Sequence, residues 1–256
     1  MQSSGKPGIT LQMYDNYFNE TAIKIAPFLN WLSMRYIEFE TLISPQRLNR
    51  YKIACNNNTR KTLSLYRANI RMSQAFLAVL GIFEVVLRNK IDLHYKIQFS
   101  SNPEWLLAST MPGGFLTRNG CQNSLNKISR TYADLGANYT HDKLLSELSF
   151  GFWKFMFAGR QFQAGGSTLL TIFPNLPPHR NQSFIYQKLD KINSIRNRVA
   201  HHEPICFGAG NVIGTVYARS HFQEIIDIIT YMGVSSQQLF YGIDGVFKEA
   251  NFIDAI

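Results

Sequence analysis

Cysteine is scarce in this chain, with three among 256 residues, Cys55, Cys121 and Cys206. They stand far apart and form no Cys-x-x-Cys pair, which excludes a disulfide framework and a thiolate zinc centre. With no secretory leader recognisable, the chain is expected to be cytoplasmic. Acidic residues are also few, 17 against 26 Lys plus Arg, for a formal net charge of +9. That balance favours polyanions such as RNA, or an anionic lipid surface, as partners, although a basic excess also serves plain solubility. Long apolar runs are missing. The most apolar one, residues 75–87, is interrupted by Gly81 and Glu84 and falls short of the roughly 20 residues that a membrane span needs. It reads as a core helix, and no membrane partner is expected. Strict apolar–polar alternation over strand lengths is nearly absent, which leaves little material for a sheet. Disorder is excluded by a hydrophobic share of 45% with 17% charged residues, enough at this length to bury a substantial core.

What the chain does have is helical periodicity along most of its length, and the spacing predicts an all-α protein. A first amphipathic helix is expected over residues 21–43, and Ser44-Pro45 has the chemistry of a cap and first position for the next. Asn56-Asn57-Asn58 ends that one. Leu63, Tyr66, Ile70, Ser73, Leu77, Leu80, Phe83, Leu87 and Ile91 then mark a long central helix over residues 59–99. Shorter helices are expected after Asn102-Pro103-Glu104, over residues 123–135 and over residues 140–157 with Thr140 as cap. Gly165-Gly166 opens an irregular stretch that Pro174, Pro177 and Pro178 maintain. A charged and apolar helix follows from about residue 181. The connector at residues 208–214 has room for a short strand, and helices are expected over residues 218–232 and 237–249. No linker divides the chain, so a single domain over residues 1–256 is expected, with residues 1–43 as a helical extension and 205–256 as C-terminal helices.

One segment concentrates groups suited to chemistry, Ser194-Ile195-Arg196-Asn197-Arg198-Val199-Ala200-His201-His202-Glu203-Pro204. Arginine offers a planar five-donor fork that fits a phosphate, and histidine takes and gives protons near neutrality. Pro204 disfavours the helical conformation at Glu203, so the helix is expected to end at about His202, with both histidines in its last turn. Arg196 and His201, five apart, stand well apart in azimuth on an ideal helix, whereas Arg198 and His202, four apart, share a face. Joint action of Arg196 and His201 therefore needs a long arginine stem or a loosened final turn.

Arg196-Asn197-x-x-x-His201 resembles the Arg-x4-6-His signature of the HEPN superfamily, helical domains of which many members are metal-independent ribonucleases. The wider run from Arg196 to Glu203 is similar to the Abi-like proteins of the AbiD and AbiF kind, associated with abortive infection in bacteria. Leu65-Tyr66-Arg67-Ala68-Asn69, Phe83-Glu84-Val85-Val86-Leu87-Arg88-Asn89-Lys90-Ile91 and Leu148-Ser149-Phe150-Gly151-Phe152-Trp153 recur in that family in this order. The likeness covers residues 44–204. It implies a HEPN-like helical bundle with additional N- and C-terminal helices, an endoribonuclease acting as a toxin in antiphage defence, and a two-fold homodimer in which two Arg/His motifs face each other. It leaves room for an antitoxin or a regulatory RNA.

RNA carries its own nucleophile, the 2′-hydroxyl, so a base, an acid and a cation suffice and no metal or cofactor is expected. His201 would move the proton, Arg196 stabilise the phosphoryl charge, and Asn197 orient one or the other. A second proton carrier is expected from the partner's motif, from His202, or from the Arg88-Asn89…His94 element, in that order. Glu84 and Arg88, four apart with the acid first, also suit a helix salt bridge, and His94 also suits a packed core. His201, His202 and Glu203 lack the i, i+4 spacing of a helical metal site. Arg198 belongs with the RNA-binding candidates, as do Arg47, Arg50, Lys52, Arg60 and Lys61 around a predicted turn, where a solvated face is the alternative. The rival reading from another class is an RNA-binding or scaffold protein that does not cleave.

Overall fold

The computed structural model describes residues 34–100 and 102–256. Among them run twelve α-helices: α1 (Tyr36–Ile43), α2 (Pro45–Ala54), α3 (Thr59–Gln98), α4 (Trp105–Ala108), α5 (Gln122–Leu135), α6 (His141–Glu147), α7 (Phe150–Phe155), α8 (Gly159–Ala164), α9 (Gln182–Ala200), α10 (Val216–Tyr231), α11 (Ser236–Leu239) and α12 (Val246–Asp254). Extended pairing among the described residues amounts to one isolated antiparallel bridge, Phe207 with Ile213, inside the connector where a strand had room. The protein is all-α. The chain divides into two compact units, one through Leu63 and one from Ser64. The division falls within α3, where no linker composition marks it.

In the first unit, the helix expected over residues 21–43 is helical at Tyr36–Ile43, and residues 21–33 lie outside the described residues. Ser44 starts α2 as its sequence suggests: its Oγ accepts the Arg47 N–H at 3.3 Å and Pro45 takes the first position. Leu48 and Tyr51 are buried. Asn56 and Asn57 turn the chain with φ of 51° and 61°, a region that asparagine tolerates better than most residues. Asn58 Oδ1 then accepts the Lys61 N–H at 3.0 Å and opens α3.

The second unit is built around α3, whose Phe76, Val79, Leu80, Phe83, Leu87, Ile91 and Tyr95 are buried. Phe83 meets Phe150 of α7 with ring centroids 5.8 Å apart, Phe76 meets Phe222 of α10 at 6.2 Å, and Tyr95 meets Trp105 of α4 at 4.5 Å. Each such side chain stabilises the fold by about 1.5–3 kcal/mol when fully buried. Among the described residues α3 alone is long and apolar enough to cross a membrane, with an 18-residue window of mean hydropathy 1.7. Of that window, 39% is buried in the protein's own core.

Two expected helices are each broken in two. The one over residues 140–157 starts as read, with Thr140 Oγ1 accepting the Lys143 N–H at 3.1 Å, but it stops at Glu147. Leu148 and Ser149 are extended, and the indole N–H of Trp153 donates to the Leu148 carbonyl at 3.1 Å. The helix over residues 237–249 separates into α11 and α12, with Gly242 at φ 79° between them. In α9 the cap is Asn181, whose Oδ1 accepts the Phe184 N–H at 3.2 Å. Ile185, Leu189, Ile192, Ile195 and Val199 form its buried face, and Lys188 ties it to Asp227 of α10 at 2.8 Å.

Candidate functional site

The helix carrying the Arg/His segment ends earlier than its sequence suggests, at Ala200, with His201 as cap. His202 has φ 56°, a left-handed conformation. The closure is a Schellman motif: the His202 N–H donates to the Val199 carbonyl at 3.1 Å and the Glu203 N–H to the Arg198 carbonyl at 2.8 Å. That geometry corrects the expectation that both histidines occupy a last helical turn. It also removes the expected shared face of Arg198 and His202, because His202 has left the helix.

Two braces hold the chain beyond the closure. Arg198 donates through Nη2 to the Pro204 carbonyl at 2.6 Å, approaches Glu203 at 3.3 Å and lies over the Tyr217 ring at 4.7 Å. Its guanidinium is thus engaged in part within the chain, with the side chain 29% exposed. From α3, the buried Asn69 accepts the Ile205 N–H on Oδ1 at 2.8 Å. A lone asparagine in an apolar helical run was the signal for this residue, which the sequence reading left outside the site.

Arg196 and His201 point in different directions. Arg196 is one turn from buried Ile192 and Val199 and shares their inward face, half-buried. His201 is one turn from Asn197 and two from Ser194, all exposed. At about 100° per residue the two diverge by about 140°. On the inner side, Glu84 of α3 lies close enough to Arg196 and to Arg88 for both charges to act on it. Burial pushes the Glu84 carboxyl above its ordinary range, against the pull of Arg196, of Arg88 and of the Phe150 N–H at the start of α7. Among the described residues neither Arg88 nor Arg196 forms a contact ion pair, and Arg88 Nε is buried without a hydrogen-bond partner.

The structure therefore brings Glu84, Arg88 and Arg196 together and sets Asn197, His201 and His202 on the exposed side. Asn89 is exposed. His94 is held elsewhere, Nε2 by Thr168 at 3.0 Å and Nδ1 by Thr171 at 3.1 Å, and burial lowers its pKa. The two threonines explain why it does not join the Arg88 side of the motif. Arg47, Arg60 and Lys61 are exposed and Arg50 half-buried in the first unit. Lys52 there sits 3.6 Å from Glu40 and 5.9 Å from the centre of the Tyr36 ring. A third imidazole near the motif escaped the sequence reading. His221 of α10 donates from Nδ1 to the Tyr217 carbonyl at 2.7 Å and meets the Tyr217 ring at 4.0 Å with a 38° tilt. Burial pushes its pKa down, the nearby Lys191 and Arg198 push the same way, and Nε2 is left as the basic nitrogen. Only the packing of α9 on α10 places it there.

Among the described residues no three His, Cys, Asp or Glu side chains converge as a metal site requires. Compared with protein-family models, curated proteins and solved structures, the chain matches none.

Proposed function

We propose that this protein is a metal-independent endoribonuclease of the HEPN type, acting as an abortive-infection toxin, with its site at the C-terminal end of α9. The observation that carries the reading is that helix end. A Schellman closure, braced by Arg198 and Asn69, holds Asn197, His201 and His202 on an open surface one turn from a half-buried arginine that lacks a contact ion pair. Leaving a guanidinium unpaired beside a carboxyl that burial keeps reluctant to ionise suits it to a phosphate, which offers matching acceptors. His201 removes the proton from the 2′-hydroxyl, whose oxygen attacks phosphorus. The bond to O5′ breaks, and an imidazolium returns a proton to that oxygen. The products are a 2′,3′-cyclic phosphate and a 5′-hydroxyl.

A second copy of the chain supplies the second imidazole in this reading. The divergence of Arg196 from His201 favours one rival, a protein that holds RNA without cutting it. The deciding experiment incubates purified protein with a mixed RNA pool in excess EDTA and scores cyclic-phosphate ends. Wild type is expected to cleave. Arg196→Ala and His201→Ala should each lose at least about a hundredfold in rate. Full cleavage by either variant refutes the assignment, and a gel shift without fragments in wild type establishes the rival.

A further inference from the structure

A cavity of about 490 Å³ opens where the end of α3 meets α4 and the glycines after α8, and it shares no lining residue with the α9 terminus. Its size falls within the roughly 300–1,000 Å³ of small-molecule sites. Three aromatic rings line it, and they are close to parallel. Phe99 and Phe115 are inclined by 12° with centroids 5.7 Å apart, and Trp105 and Phe115 by 12° at 6.3 Å. Behind them, buried Tyr95 stacks on Phe99 at 10° and 5.8 Å. Trp105 and Phe115 are buried within this array, and half-buried Phe99 is its ring with surface left for another flat ring to join by offset stacking.

The facing wall is backbone. Gly113, Gly114, Gly165 and Gly166 line the cavity. A Cβ at Gly114 would collide with the Ser109 carbonyl, and one at Gly165 with the Tyr95 hydroxyl. Glycine here lets the chain close in without a side chain filling the space. That wall is also fixed in place, since Gln98 Nε2 donates to the Gly165 carbonyl at 3.1 Å. The Tyr95 hydroxyl, buried against it, has no hydrogen-bond partner. The one charged lining residue is Arg118. Its Nη1 reaches the Ala164 carbonyl at 3.4 Å, no carboxylate among the described residues pairs with it, and its other donors remain for a ligand. Arg160 adds a second positive charge nearby, and both guanidiniums act on Cys121.

We propose that this cavity binds a nucleotide, with the base parallel to Phe99, Trp105 and Phe115 and the phosphate on Arg118. A flat heteroaromatic ring joined to an anion uses both halves of the site, whereas a purely apolar ligand uses one and a sugar phosphate the other. The nucleotide arrives either free or as one unstacked residue of an RNA strand. The site is independent of cleavage at the α9 terminus, so binding is read without turnover.

The experiment titrates full-length protein by calorimetry with AMP, GMP, CMP and UMP, and by fluorescence with a short oligoribonucleotide carrying 2-aminopurine. Arg118 is exposed, so Arg118→Gln should fold and should weaken binding about tenfold to a hundredfold. Phe99→Leu keeps the apolar bulk but loses the flat face, and should weaken binding about tenfold. Saturable binding of a mononucleotide with those losses supports the proposal with free nucleotide as ligand. Binding of the oligonucleotide alone, with quenching lost in the same variants, supports it with RNA as the source. No saturable binding of either probe, or affinities that both variants leave unchanged, overturns it.

Discussion

Replacing His202 by glycine and, separately, by alanine tests the helix-end geometry on which the proposed site depends. His202 is at φ 56°, where a Cβ crowds the following carbonyl. For an L-residue that conformation costs about 1–2 kcal/mol, and glycine escapes it. Both variants lose the imidazole and whatever it contacts, so their difference isolates the backbone. Alanine retains the steric cost, while glycine forfeits about 0.5–1 kcal/mol through the greater freedom of its unfolded chain. His202→Gly should therefore be more stable than His202→Ala by about 0.5–1 kcal/mol. For a chain of this size that is a difference of about 1–3 °C in Tm. Urea or thermal unfolding followed by far-UV circular dichroism measures it. Equal stabilities, or a less stable glycine variant, would refute the left-handed closure and with it the placement of His201 on the exposed face. The same pair of proteins separates strain from chemistry. If His202 moves a proton, both variants lose cleavage together regardless of their stability.

Two further outcomes follow from buried polar groups. Asn69→Ala removes the acceptor of the Ile205 N–H, 2.8 Å away, leaves that buried donor unpaired and should destabilise the protein by about 1–3 kcal/mol in urea titration; an unchanged midpoint argues against the brace. Asp92 is a buried carboxylate that accepts from the Trp105 indole at 2.9 Å and from His141 at 2.7 Å and lies 2.8 Å from Lys96. Burial alone would raise its pKa, but these partners together hold it at about 2. A folded value below the unfolded one means that its stabilisation is full above about pH 4 and is lost as pH falls towards 2. Asp92→Asn should show a flatter loss of stability over that window, and a slope equal to wild type counts against the network.

How much could be read from residues alone differs from element to element. Ser44 and Thr140 cap helices through their own side chains, a local interaction with the third residue onward, and so they were legible. The 40-residue α3 was legible because its apolar spacing persists along most of its length. The break at Leu148-Ser149 was not, because a tryptophan five residues on locks it from outside the backbone. Nor was His202 leaving the helix, since proline chemistry forecasts a stop but not which residue turns left-handed. Among candidate site residues, Glu84, Arg88 and Arg196 come together as helices that pack side by side allow, whereas His94 is claimed by two threonines some 75 positions away.

The amino-acid order by itself determined that this chain is helical, basic and poor in thiols, and it marked the Arg196–His202 segment as its densest cluster of phosphate- and proton-handling groups. Those properties depend on period, composition and neighbours within a few positions. Tertiary structure alone decided which side of that helix meets the core, so that Arg196 turns inward to Glu84 and Arg88, and that parallel rings and glycines enclose a cavity beside Arg118. Those outcomes depend on contacts between residues more than a hundred positions apart in the first case and several tens in the second, and no local rule of spacing contains them.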